Sequence, residues 1–92
     1  MTHLARLHAL PCVVCRWMGM EQKTPTIAHH LESVRDDDSN YAAVAICEDH
    51  HKGSGFGIHD LSRRGFEMRT KLNEIDLLKL TVKALDDEGL LV

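Results

Sequence analysis

Two short spacings constrain this chain more than any of its hydrophobic runs: Cys12-x2-Cys15 and Cys47-x2-His50, which between them use every cysteine present. At 92 residues with 4% aromatics, the chain lies near the lower limit for a core that is stable unaided, and such chains commonly add a disulfide framework or a metal. Three cysteines cannot all pair within one chain. Reduced thiols beside seven histidines point instead to zinc. Zinc takes four tetrahedral donors, and two residues between ligands let one turn present both to the same ion. A single C-x2-C would be weak evidence. Two knuckles, at 12–15 and 47–50, predict a structural Zn²⁺ held by Cys12, Cys15, Cys47 and His50. Buried apolar cysteines are the competing explanation, and they leave the spacing unaccounted for.

No charged leader with an apolar run and cleavage site is visible, and no apolar stretch reaches membrane length. The expectation is a soluble, cytoplasmic chain forming one domain over 1–92, without membrane partners. Within it, "THLARLHAL" predicts a short N-terminal helix capped by Thr2 and ended by Pro11. "PCVVC" reads as a tight turn and 18–25 as loop. "TIAHH" and "YAAVAIC" read as strands, the second buried, joined by the polar "SVRDDDSN". "EDHHK" opens a helix that "GSGFG" interrupts and "HDLSRRGFEMRTKL" resumes. A last helix, about 74–88, is capped by Asn73 with Asp76 at its third position and is ended by Gly89. Ile75, Leu78, Val82 and Leu85, widened by Leu77 and Leu80, make its apolar stripe. That stripe either packs on the zinc core or forms a dimer seam, so the chain is a monomer or a homodimer through this helix. The fold class is α+β, a small zinc-stabilised unit of two strands and a helix (core about 26–64) between an N-terminal helix and C-terminal helices.

With zinc assigned, His29, His30, His51 and His59 still want a purpose, and His3 and His8 read as ordinary surface residues. Side chains alternate along a strand, so adjacent His29 and His30 face opposite ways unless a strand end turns one. One can then bind a second metal while the other faces a water, and His51 and His59 can close the metal's shell. The order "CVVC … AHH … AICEDHHKG … GIH" resembles the HNH, or ββα-metal finger, nucleases, and most of all the phage and prophage proteins related to the recombination-enhancement, RecA-dependent nuclease. The similarity runs from about His3 to Lys71. It implies single-metal hydrolysis of DNA phosphodiesters in a bacterial or phage-infected cell, linked to recombination or DNA processing, with a recombinase filament as a further partner. It also implies roles: His29, His51 and His59 as ligands of a catalytic Mg²⁺, Mn²⁺, Ni²⁺ or Zn²⁺, and His30 as general base.

Those residue types suit that chemistry. Hydrolysis needs a proton acceptor for the attacking water, and an imidazole with a reference pKa of ~6.5 serves at neutral pH. It also needs a cation with open positions, which few protein ligands leave available. The chain departs from the family pattern twice. The amide that orients the base is expected near Ala42, whereas the nearest is Asn40, so either a loop shift delivers Asn40 or a backbone carbonyl replaces it. The eight-residue step from His51 to His59 makes His59 either a ligand brought in by the loop or a neighbour. A catalytically degenerate, zinc-stapled module that binds DNA or protein is the alternative, and an assembly factor docking through the last helix is a third reading.

A net charge of -3 argues against a protein that coats nucleic acid. Residues 52–71 are nevertheless locally basic, with Lys52, Arg63, Arg64, Arg69 and Lys71 opposed only by Asp60 and Glu67. These five are the expected DNA-phosphate contacts, with a merely solvated surface as the alternative.

Overall fold

The computed structural model describes residues 2–31 and 42–90. The 32–41 connection, with Asn40, lies outside the described residues.

Among the described residues seven elements follow one another: α1 (His3–His8), α2 (Val13–Met18), β1 (Thr26–His30), β2 (Ala43–Cys47), α3 (Glu48–His51), α4 (Ile58–Thr70) and α5 (Glu74–Asp87). The result is a small α+β fold around a two-stranded sheet. The strands pair antiparallel, from Thr26 opposite Cys47 to His30 opposite Ala43. All five residues of β2 are buried. Helices pack on this strand, and its alanines keep the side-chain layer thin enough for close approach.

A two-stranded sheet has little stability alone, and its edges need cover. Thr81 of α5 supplies it: its hydroxyl donates to Leu77 O at 2.8 Å and accepts from the β2 amide of Ala45 at 3.2 Å. Leu7, Val14, Val44, Ile46, Phe66 and Leu77 fill the centre, all fully buried.

Three expectations are corrected here. "PCVVC" does not merely turn: Cys12 caps α2, its sulfur accepting from Cys15 N at 3.4 Å, and the helix runs on through "RWM" until Gly19 closes it at φ +67. The helix after the glycine loop is not continuous. Ser62 (φ +67, ψ 167) bends α4, and its Oγ accepts from Gly65 N at 3.3 Å, restarting the helix as a cap does. In α5 the Asn73–Asp76 capping box forms as expected, with bonds of 2.8 and 3.0 Å, and Gly89 follows at φ +70. Of its expected stripe Leu77 and Leu85 are buried and Leu78 and Leu80 pack partly against the core, but Thr81 and Ala84 join them while Ile75 and Val82 stand 56% and 43% exposed. The threonine counts as polar in a periodicity and as core in the fold, because its hydroxyl is satisfied at both ends.

No helix among the described residues is long and apolar enough to cross a membrane.

Candidate metal centres

Cys12 and Cys15 sit at the N-terminal turn of α2, while Cys47 ends β2 and His50 lies one turn on in α3. All four are buried. Cys15 Sγ and Cys47 Sγ are 3.8 Å apart, and His50 Nδ1 lies 3.6, 3.5 and 3.3 Å from the sulfurs of Cys12, Cys15 and Cys47. A tetrahedral ion with Zn–S of about 2.3 Å and Zn–N of about 2.05 Å requires edges of about 3.8 Å between sulfurs and about 3.6 Å between sulfur and nitrogen. These four separations are close to the edges of a zinc tetrahedron. The donors are too far apart for a disulfide, and all three cysteines are free. Burial, followed for Cys15 by the neighbouring thiols, pushes the Cys12 and Cys15 thiols up. This burial penalises the thiolate forms of Cys12 and Cys15, and a dication reverses that penalty. This group can hold a structural metal such as zinc.

The surrounding bonds fix the knuckles. Gln22 accepts from Cys12 N at 2.7 Å and donates to Thr26 Oγ1 at 2.8 Å, joining α2 to β1. Thr24 Oγ1 accepts from Asp49 N at 3.1 Å. His50 faces Phe56 edge-on at 5.3 Å, which encloses the ring. His8, read as a plain surface residue, is bonded through Nδ1 to Thr26 O at 3.1 Å and ties α1 to the sheet. His3 is half-buried, with a pKa lowered by burial and by Arg6.

A second group forms from His29, His51 and His59, which come from β1, α3 and the start of α4 and offer ligand atoms within 4.8 Å of one another. Their rings meet edge-on, with centroids 5.2 Å apart for His29–His51, 5.1 Å for His29–His59 and 4.6 Å for His51–His59. An ion about 2.1 Å from each ring nitrogen puts centroids about 4.5 Å apart at right angles and about 5.2 Å apart at tetrahedral angles. The three rings fit a common ion. His29 is 2% exposed, and its Nδ1 is buried without a hydrogen-bond partner among the described residues. Burial, then His51 and His59, lower its pKa to about 4, so it stays neutral, as a ligand must. The His51 pKa is lowered chiefly by burial and then by His59.

The long step from His51 to His59 is closed by two residues that the sequence reading passed over. Asp60 accepts from the backbone amides of Gly53, Gly55 and Gly57 at 3.0, 3.1 and 2.9 Å, folding the glycine loop back onto the first turn of α4. Those amides hold its carboxyl below the ordinary value. Gly57 lies so close to α3 that a Cβ there would stand 2.6 Å from His51 C and 2.7 Å from His51 O. A glycine loop ahead of an acidic third helical position was the available signal for Asp60. Nothing local to Gly57 announced its contact.

His30 follows His29 on β1 and is exposed where His29 is buried, as strand alternation requires. The expected DNA contacts are all exposed but not equally available. Arg63 donates to Glu74 at 2.7 Å, and Arg69 lies 5.7 Å over the Phe56 ring. Arg63 and Arg64 line a groove of about 570 Å³ with Ser62, Asn73 and Glu74. No family model, curated protein or solved structure matches this chain.

Proposed function

We propose that this protein is a metal-dependent DNA endonuclease of the HNH type, with a structural zinc and a separate catalytic ion. The observation that carries this reading is the convergence of His29, His51 and His59 beside, but apart from, a zinc group built on the same strands and helix. The second group consists of imidazoles alone, unlike the thiol-rich first. Three neutral nitrogens also leave coordination positions open, which structural sites do not. A divalent ion held there would offset the charge gathering on a phosphodiester under attack and on its leaving oxygen.

The chain's own residues supply the rest. In this reading His30, exposed at the end of β1 and next to His29 in the chain, is the acceptor for the proton of the attacking water. Lys52, Arg64 and Lys71 hold the DNA backbone by charge, and Arg63 and Arg69, engaged with Glu74 and Phe56, contribute less. The partner is DNA; the recombination role and recombinase filament rest on the family resemblance alone.

The test is plasmid cleavage by zinc-loaded protein with Mg²⁺, Mn²⁺, Ni²⁺ or added Zn²⁺, comparing wild type with His29→Ala and His30→Ala. His29→Ala should lose affinity for the second ion, with partial rescue by excess metal. His30→Ala should retain metal and DNA binding but cleave about 10²- to 10⁴-fold more slowly. If wild type binds DNA but never cuts with any of these ions, the reading gives way to a zinc-stapled binding module.

A further inference from the structure

Trp17, the only tryptophan of the chain, stands 55% exposed on α2, whose Val13, Val14 and Cys15 are buried. A single exposed apolar side chain is ordinary and asks for no partner. This one is fixed in place and ringed by charge. Its indole Nε1–H donates to Thr70 O at 3.3 Å, so the side chain is pinned to the end of α4 while much of it stays open to solvent. Trp17 and Leu80 of α5 are common to two hollows, one of about 200 Å³ that includes Arg16 and Lys83, the other of about 220 Å³ that includes Lys71 and Lys79. All four cations are exposed. The carboxylates lining the same hollows are already engaged: Asp87 pairs with Lys83 at 3.2 Å, and Asp76 accepts from Asn73 N at 3.0 Å in its capping box. Arg16, Lys71 and Lys79 make no ion pair among the described residues. Both hollows are smaller than the ~300–1,000 Å³ of sites that enclose a small molecule. They suit a flat ring laid against the indole, with an anionic chain beside it.

We propose that Trp17 is a stacking platform for an unpaired base of a single-stranded nucleic acid, whose phosphates Arg16, Lys71 and Lys79 hold by charge. Every base has a π-face, so such a platform is indifferent to sequence, and each stacked base contributes about 5- to 150-fold in affinity. A side chain already pinned loses little freedom on binding. The inference goes beyond the proposed cleavage. It needs neither the second ion nor the histidine trio, and it shares only Lys71 with the phosphate contacts expected from the sequence.

The experiment is titration of the zinc-loaded protein with a short oligothymidylate, no further divalent ion being added, read by the fluorescence of Trp17. Stacking should quench it saturably, whereas a duplex of the same length, or an abasic strand of the same charge, should leave it nearly unchanged. Anisotropy of the labelled strand then compares Trp17→Ala, Trp17→Phe and Lys79→Gln, each checked for zinc content and melting temperature. Trp17→Ala should bind about 5- to 150-fold more weakly with its zinc retained. Trp17→Phe, which keeps a ring but loses the bond to Thr70, should recover most of that loss. Lys79→Gln should flatten the log–log salt slope by about 0.7. Fluorescence unmoved by the oligothymidylate, equal quenching by the abasic strand, or a folded Trp17→Ala that binds like wild type overturns the inference. Trp17 is then a tie between α2 and α4, or a contact for a protein. With no second ion present, this titration and the plasmid assay fail independently of each other.

Discussion

Gly57→Ala separates the geometry of the histidine trio from its chemistry. The backbone at Gly57 is ordinary (φ -76, ψ 165), so alanine meets no conformational penalty there. The obstacle is space: the added carbon would stand 2.6 Å from His51 C, 2.7 Å from His51 O and 2.8 Å from Lys52 N, all backbone atoms that cannot rotate aside. Relief requires α3 and the start of α4 to separate by roughly an ångström, since non-bonded carbons prefer about 3.5–4.0 Å. Overpacking of this sort costs about 1–3 kcal/mol, and each kcal/mol lowers the melting temperature of a domain this size by about 4–8 °C. The same movement widens the 4.6 Å spacing of the His51 and His59 rings. Thermal unfolding of the zinc-loaded protein should therefore drop by at least about 4 °C, and calorimetry should show weaker binding of a second ion. Gly65→Ala is the control. It lies within α4 and meets the Leu61 side chain at 3.2 Å, so better helix propensity works against mild crowding. A Gly57→Ala protein that melts like wild type and binds the second ion as tightly would refute the claim that close α3–α4 contact assembles the trio.

Removing the structural metal should unfold the chain: strong chelators abolish the cooperative melt, and Cys47→Ser lowers both zinc content and melting temperature, as read by metal analysis and calorimetry. DNA affinity should fall steeply with salt, and neutralising Lys52, Arg64 or Lys71 should flatten the log–log slope by about one unit each. Arg63 and Arg69, already engaged by Glu74 and Phe56, should flatten it less. Because the His29 pKa falls from 6.5 to about 4 on folding, the unfolded chain takes up a proton between those values that the fold refuses. Stability should accordingly drop as pH falls from 6.5 toward 4 and be fully present above it. His29→Asn should flatten the fall in melting temperature over that window, and parallel curves would contradict the assignment.

The group of Cys12, Cys15, Cys47 and His50 was legible in the sequence because its spacing is a local property: a turn presents residues with two others between them, whatever surrounds it. The same holds for the strand "TIAHH" and for the "AVAIC" part of "YAAVAIC", for the Asn73–Asp76 cap and for the alternation of His29 and His30, each set by neighbours along the chain. Where choices depended on what packs opposite, sequence reasoning went astray or stopped. The expected stripe included Ile75 and Val82, yet α5 turns Thr81 and Ala84 inward instead, because the Ala45 amide on β2 offers Thr81 a partner that no periodicity records. The "CVVC" turn continued as a helix once Cys12 could cap it. His59 lay eight residues from His51, and only the return of the glycine loop onto Asp60, with Gly57 against the backbone of His51, made the two rings neighbours. Ligand types and caps are written in one dimension. Convergence of side chains from three elements is a property of packing, which only the tertiary structure decides.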